Sequence, residues 1–299
     1  MSQAFKPTKF LKPKTIEETS ALLKEYGASV RIISGGTGIY EVAHRGLLSE
    51  IDCLIDLSSL NLSYIRVDES SVRIGATTTM SSMMDTDELS KIAQLAAVTE
   101  ALTVIQPLQV KNVATIAGAI CTALPFFDLP VALVALDAIV KLAPTGRILN
   151  VSEFIRGYFS TDLELGEFVQ EISIPLSKKK EHVGSAFQKF GLTGDDWAIV
   201  NCGAFVGLDH ETISNVRLCF GGGIGEKPKR PEKTQKLLEG VRATDEERIR
   251  TILEENLSKE LETISDIRAS SEYRMHLAKV LGRRAISLAC RRALESSGN

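Results

Sequence analysis

The sequence predicts an α+β protein with two domains, and three observations point to this fold class. The chain has 299 residues, which is enough for two domains of ordinary size. Short strand and helix patterns alternate in its first part, whereas three strand patterns precede three helical ones beyond residue 184. A charged stretch, residues 177–181, separates the two parts and predicts domains at 1–178 and 183–297. The alternative is a solvated loop inside a single domain.

The first elements of the N-terminal part are a helix and a strand. Thr15 and Glu18 have the spacing of a capping box, and Gly27 is a typical helix stop, so a helix is predicted over residues 15–26. The apolar run that begins at Val30 predicts a strand that ends at Ser34 and is followed directly by glycines.

The remaining patterns extend this reading along the chain. Apolar runs between turn residues predict N-terminal strands at 53–56, 64–67, 72–74, 138–142, 148–151 and 168–174. Helical spacing covers 79–102, with a break near 85–87, and 128–138, while the small residues of 113–119 are strand-like. The C-terminal part predicts strands at 185–190, 199–208 and 214–220, then helices at 232–238, 245–257 and 271–296. An antiparallel sheet with helices on one face is expected there.

Composition and charge exclude several classes of function. The net charge of −3 offers no basic face for nucleic acid. No apolar run approaches the ~18 residues of a membrane-spanning helix, and the N-terminus lacks the apolar segment of a secretory signal. We therefore expect a cytoplasmic protein without membrane insertion.

The cysteines and histidines are isolated from one another. The five cysteines form no C-x-x-C pair, and the four histidines are equally scattered. Neither a metal site, nor an iron–sulfur cluster, nor a catalytic nucleophile is predicted. Redox chemistry would then require an organic cofactor or partner chains.

Two segments rich in small residues are candidate binding sites. Residues 34–38 follow a strand, and their glycines let backbone N–H groups approach a phosphate, although an ordinary tight turn is the alternative. The segment is not G-x-G-x-x-G, because Glu41 stands at the third glycine position. In the second segment Thr115 offers a hydroxyl and Asp128 a carboxylate for ribose or adenine. The alternative there is a packing seam with Asp128 as a helix N-cap.

Together the two segments resemble a known family. The stretches RIISGGTGIYEVAHRG and VKNVATIAGAICTALPFFDLPVALVALDA look like the two FAD-binding signatures of the flavin subunits of molybdenum hydroxylases. The likeness continues through GEFVQEISIP and EHVGSAFQKF to IRASSEYRMHLAKVLGRRAI, so it covers nearly the whole chain, and bacterial xanthine dehydrogenase flavin subunits are the nearest likeness. It implies a vanillyl-alcohol-oxidase-type (PCMH) FAD-binding domain with subdomains at about 1–58 and 59–178. A C-terminal domain with a three-stranded antiparallel sheet and helices should follow.

The resemblance also assigns residues to the cofactor. The first pyrophosphate loop corresponds to Ile32, Ile33, Ser34, Gly35, Gly36, Thr37, Gly38 and Ile39, and the second to Thr115, Gly118 and Ala119, with Cys121 close behind. Asp128 matches an aspartate at the ribose part of FAD, where we expect it to bind the ribose–adenine half. Ile105, Val169 and Lys189 match positions near the flavin, and a cation at Lys189 would stabilise negative charge on it. From the residues alone, Lys189 is an ordinary surface lysine.

The sequence departs from the family signatures in three places. Ala117 and Ala119 replace a glycine and an asparagine, which removes one polar side chain. Residues 124–127 lack two hydroxyl groups that the family has. An arginine expected near position 192 or 193 is absent, so the acceptor-side loop 191–197 is where function could differ.

The resemblance implies an electron-transfer subunit without catalytic residues of its own. Its FAD would take electrons from the 2Fe–2S clusters of a small partner subunit and pass them to NAD or another acceptor. A molybdopterin-binding large subunit would oxidise the substrate, with xanthine favoured, and the assembly would be a dimer of heterotrimers. The alternatives are a flavin-free scaffold that retains the fold and, less favoured, a self-contained flavin oxidase.

Overall fold

The computed structural model describes residues 5–178 and 182–296, and its first unit is a small parallel sheet with two helices. The elements are β1 (Lys9–Leu11), α1 (Ile16–Tyr26), β2 (Val30–Ile33), α2 (Thr37–His44) and β3 (Cys53–Asp56), with strand order β1-β3-β2. Thr15 caps α1 by accepting from the Glu18 N–H, and Gly27 ends the helix at φ 52°. The Glu18 carboxylate accepts from the Lys14 N–H rather than from Thr15, so the predicted capping box is displaced by one residue.

The second unit is a five-stranded antiparallel sheet covered by short helices. The strands of this unit are β4 (Ile65–Val67), β5 (Ser71–Gly75), β6 (Ile139–Ala143), β7 (Ile148–Asn150), β8 (Ile155–Gly157), β9 (Ser160–Thr161) and β10 (Phe168–Pro175). The five strands of the sheet lie in the order β4-β5-β10-β6-β7. Its helices are α3 (Met80–Met84), α4 (Asp87–Ser90), α5 (Ala96–Thr103), α6 (Leu108–Val113), α7 (Ile116–Thr122), α8 (Asp128–Ala135) and α9 (Val151–Phe154). Strands β8 and β9 form a separate hairpin.

The strand-like reading of residues 113–119 was wrong. This segment contains the end of α6, a break at Ala114 and the start of α7. Thr115 has extended backbone angles, and its hydroxyl accepts from the Gly118 N–H at 3.1 Å, which starts the helix. Small residues fit a closely packed helix as well as a strand, so residue size alone did not distinguish the two.

The C-terminal part has the predicted order of strands and helices. Strands β11 (His182–Phe190), β12 (Val200–Asp209) and β13 (Thr212–Gly222) form an antiparallel sheet, followed by α10 (Glu232–Leu238), α11 (Glu246–Asn256) and α12 (Ser271–Glu295). Of the charged stretch predicted as the boundary, residues 179–181 lie outside the described residues, as does residue 297 at the predicted end of the domain. The α+β class is confirmed.

The C-terminal sheet is covered on both faces. The long helix α12 packs on one face, and α5 and α8 of the N-terminal part pack on the other. Consequently Phe187, Phe205 and Cys219 belong to the same buried apolar cluster as α8, whereas Leu218 and Phe220 face α12. The prediction of helices on one face was therefore incomplete, because the second face is buried against the N-terminal part.

Candidate functional site

The first glycine segment forms a recessed turn between β2 and α2. Residues 32–39 are all half-buried, as expected for the wall of a groove. Gly36 has φ 76°, a left-handed conformation that favours glycine, and it caps α2. Gly35 lies against the backbone of Val113, because a Cβ at Gly35 would stand only 1.8 Å from the Val113 carbonyl oxygen. A larger residue at position 35 would push the two segments apart.

The second segment belongs to the unit with the five-stranded sheet, and it approaches the first segment, which belongs to the unit with the parallel sheet. A Cβ at Gly38 would lie 2.3 Å from Thr122 Oγ1, so α2 and α7 are also in close contact. Tyr40 is the first residue of α2 whose N–H bonds back along the helix, to Gly36, which leaves the preceding N–H groups without a helical partner. The start of α2, with its partial positive charge, thus lies beside a glycine turn and against α7. This arrangement fits an anionic group such as a pyrophosphate.

The departures in the second signature have a structural explanation. Ala117 and Ala119 are buried and belong to the core cluster of the N-terminal part. Their methyl groups therefore pack in the core, and an asparagine at position 119 would require buried polar partners. Thr115 is also buried and serves as the cap of α7, while Gly118 is half-buried.

Asp128 and Lys189 form an ion pair across the two parts of the chain. Lys189 Nζ donates to Asp128 Oδ2 at 2.8 Å, and the two side chains are only 10% and 6% exposed. Asn201 Nδ2 donates to Asp128 Oδ1, also at 2.8 Å. Burial raises the pKa of the Asp128 carboxyl above its ordinary value, and Lys189 and Asn201 offset this only in part. Asp128 is the first residue of α8 rather than its cap, since Phe127 holds the cap position.

This ion pair involves two residues to which the resemblance gives different roles. Asp128 was expected at the ribose–adenine half of FAD and Lys189 at the flavin ring. Those two parts of the cofactor lie on opposite sides of the pyrophosphate, whereas the two side chains are in direct contact. The two assignments therefore remain predictions.

Three other assigned residues lie outside these contacts. Ile105 is half-buried just beyond α5, Val169 is buried on β10 opposite Leu142, and Cys121 is exposed on α7. Strand β10 packs against α7, which connects Val169 to the second segment through the fold. In the described part of the chain, no hydrogen bond or ion pair joins these three side chains to the glycine turn.

An aromatic stack that the sequence did not predict lies beside the site. Trp197 stacks on Phe126 with ring centroids 6.0 Å apart and an interplanar angle of 7°. The guanidinium of Arg45, at the end of α2, lies 4.8 Å from the centre of the Trp197 ring. The stack links the first subdomain to the loop 191–197. Phe126 departs from the family signature, and this departure was the one signal in the sequence that pointed to the stack.

The described residues contain no group of three or more His, Cys, Asp or Glu side chains that could hold a metal ion. No helix in the same part of the chain is long and apolar enough to cross a membrane.

Comparison with known families identifies this arrangement. Residues 3–177 match the family described as the FAD binding domain in molybdopterin dehydrogenase. The chain belongs to the FAD-binding medium subunits of molybdenum hydroxylases. Residues 185–289 of this flavin subunit match the CO dehydrogenase flavoprotein C-terminal domain. It is an oxidoreductase subunit with FAD as its cofactor.

Known relatives and solved structures support the membership of this flavin subunit in the family. It is 28% identical to the glyceraldehyde dehydrogenase medium chain of Sulfolobus acidocaldarius over 279 residues, which cover 92% of this chain and 96% of that one. It is 27% identical to the xanthine dehydrogenase FAD-binding subunit of Escherichia coli O157:H7 over 267 residues, 86% of this chain and 87% of that one. A solved carbon monoxide dehydrogenase of Hydrogenophaga pseudoflava superposes with a TM-score of 0.87 at 26% identity and covers 96% of this chain and 98% of that one.

Proposed function

We propose that this flavin subunit takes electrons from the 2Fe–2S clusters of a small partner subunit and passes them to NAD or another acceptor. A molybdopterin-binding large subunit would select and oxidise the organic substrate. Relatives named for glyceraldehyde, carbon monoxide, caffeine and xanthine share this type of medium chain, which supports a substrate choice made outside it. Xanthine is our proposed substrate because EHVGSA and the segment IRASSEYRMHLAKVLGRRAI resemble the corresponding segments of bacterial xanthine dehydrogenase flavin subunits. A dimer of heterotrimers is the proposed assembly.

The observation that carries the cofactor placement is the contact between Gly35 and Val113. It joins the two small-residue segments at the starts of α2 and α7. We place the pyrophosphate of FAD against residues 32–39 and against Thr115, Gly118 and Ala119. Backbone N–H groups would make most of the phosphate contacts, which explains why Ala119 can replace an asparagine.

We place the flavin half of FAD toward the C-terminal part. Lys189, Ile105 and Val169 would lie near the flavin ring. Asp128 would bind the ribose–adenine half of FAD, and Cys121 would lie close behind the second pyrophosphate loop. When bound, FAD supplies one-electron and two-electron redox chemistry. The protein then has to bind it, orient it and limit access to it. A domain boundary between 178 and 183 would leave the flavin between the two domains.

A glycine-to-alanine pair tests this placement. Gly35→Ala should greatly reduce FAD occupancy, measured by the visible absorbance of the purified protein, because its Cβ has no space against Val113. Gly194→Ala is the matched control, since a Cβ there has nothing within 4 Å. Circular dichroism checks that both variants fold. Full FAD occupancy in folded Gly35→Ala protein would contradict the placement.

The wild-type chain alone should not oxidise xanthine, and turnover without partners would contradict the subunit role.

A further inference from the structure

The long helix α12 concentrates positive charge. Between its end residues Glu272 and Glu295 it has no acidic residue, although the chain as a whole has a net charge of −3. The cations of this stretch are Arg274, Lys279, Arg283, Arg284, Arg291 and Arg292. Arg274 pairs with Asp266, and Arg292 pairs with Glu100. In the part of the chain that the structure describes, the other four have no ion pair, so their charge is available to a ligand.

Two of the unpaired cations line a groove between α11 and α12. Lys279 and Arg283 are half-buried, and with Arg250, Glu254 and His276 they border a cavity of about 420 Å³. A second cavity of about 570 Å³ adjoins the first, because His276 and Lys279 line both. Concave sites of roughly 300–1,000 Å³ are typical of small ligands. The α11–α12 groove is therefore large enough for a small molecule.

The first cavity has a surplus of positive charge. Its carboxylate, Glu254, acts electrostatically on Arg250, which also forms an ion pair with Glu247. Lys279 and Arg283 are left without a balancing anion. They stand four residues apart on α12, a spacing at which like charges lie on one face of a helix and repel each other. A bound anion would remove this repulsion.

We propose that the α11–α12 groove binds the phosphate groups of a small anion, either inorganic pyrophosphate or a nucleotide. The planar guanidinium of Arg283 matches two phosphate oxygens, and the ammonium of Lys279 attracts them as a point charge. The second cavity is lined by Leu261 and Met275 but also by the carboxylates of Glu262 and Glu272, so an uncharged part of the ligand would lie there.

The concave shape of the groove favours a small anion over the acidic surface of another protein, which would contact exposed cations along a broad face. The C-terminal sheet separates α12 from α5 and α8 of the N-terminal part. Changes in the groove should therefore leave FAD binding intact, and the FAD content of each variant is an internal control.

The site is tested by isothermal titration calorimetry of the FAD-loaded full chain at low ionic strength with pyrophosphate, ADP and adenosine. Both anions should bind and adenosine should not, because the phosphates carry the recognition. The double variant Lys279→Gln/Arg283→Gln should weaken binding of both anions about tenfold. Lys233→Gln/Lys236→Gln is the matched control, since it removes two exposed lysines from α10 and should leave both affinities unchanged.

Tighter binding of ADP than of pyrophosphate would support a nucleotide as the ligand, and equal binding would support the inorganic anion. The proposal is overturned if the wild type binds neither anion saturably, which would leave the cations of α12 to an acidic partner protein. It is also overturned if the double variant binds like the wild type, or if the control loses as much affinity, since net charge alone would then explain the effect. If circular dichroism shows that the double variant is unfolded, Arg283→Gln decides, with an expected loss of about threefold.

Discussion

At the residue scale, the strongest constraint on the site is the buried ion pair between Asp128 and Lys189. Two charges in an interior are stable only when each has a partner and the remaining lone pairs are satisfied. Asn201 donates a hydrogen bond to Oδ1 of the Asp128 carboxylate, the oxygen that Lys189 does not contact. The three residues come from different strands and helices, so this one site joins the FAD-binding part to the C-terminal sheet.

A double-mutant cycle tests the coupling of this pair. Asp128→Ala should lower the free energy of unfolding of the cofactor-free protein by about 3–5 kcal/mol, because it leaves a buried ammonium without its partner. Lys189→Met should also lower the free energy of unfolding. The double variant should lower it by clearly less than the sum of the two single changes. Urea unfolding measures all three differences. Additivity within about 0.5 kcal/mol would show that the two charges do not interact.

At the element scale, helix α8 is fixed at both ends by the C-terminal sheet. Its start contacts Lys189 and Asn201, and beyond its end Arg217 pairs with Asp137 at 2.6 Å and donates to the Ala135 carbonyl. Cations at the last carbonyls of a helix complement its dipole. The orientation of α8, and hence the location of its first carboxylate, is thus determined by residues of the other domain.

A second element, the turn between β6 and β7, depends on one buried carboxylate. Glu167 accepts from the Thr145 hydroxyl, from the Glu164 N–H and from Arg147 at 2.9 Å. Burial opposes ionisation of Glu167, but these donors outweigh it and lower its pKa below the ordinary value. The carboxylate therefore stabilises the fold above the ordinary glutamate pKa of about 4.3, and this contribution is lost as the pH falls through the lower pKa of the folded state.

Glu167→Gln should consequently lower the free energy of unfolding most strongly near neutral pH. At pH 7 we expect a loss of about 1–3 kcal/mol in the free energy of unfolding, and the difference from wild type should shrink as the pH falls below about 4. Urea unfolding at several pH values measures it. Glu164→Gln is the control, because Glu164 contacts the same Arg147 with a largely exposed carboxylate and should change stability little. A Glu167→Gln difference that does not depend on pH would contradict the charge-based explanation.

At the scale of the whole molecule, the two domains share a core. Phe187, Phe205 and Cys219 of the C-terminal sheet are buried with Val131 and Leu133 of α8 in a single apolar cluster. Neither surface would remain stable in water if the domains separated, because each would expose large apolar side chains. The domains should therefore unfold together.

Trp197, the only tryptophan in the chain, allows a direct test. Its fluorescence reports the contact with Phe126, whereas far-UV circular dichroism reports the helices and strands of the entire protein. In urea, both signals should follow one transition. Addition of FAD at about 100 times its Kd should shift that transition by about 2.7 kcal/mol for both signals. Two separate transitions would indicate independent domains.

The sequence by itself determined the elements whose signals are local. Thr15 and Gly27 delimit α1, and turn residues separate the strands of both antiparallel sheets, so these elements were predicted with small errors at their ends. The family followed from the two small-residue segments in their order. Strands β1 and β9, of three and two residues, were missed because they are too short to show a period.

Only the tertiary structure decided how distant residues combine. The helical state of residues 116–122 depends on packing against Gly38 and on the cap at Thr115, since small residues suit either conformation. The contact of Asp128 with Lys189 and Asn201 joins positions more than 60 residues apart, and it depends on the register of β11 with β12. Helix and strand signals arise from neighbours along the chain. The burial and pairing of a charge depend on which surfaces meet when the domains dock, and no local pattern contains that information.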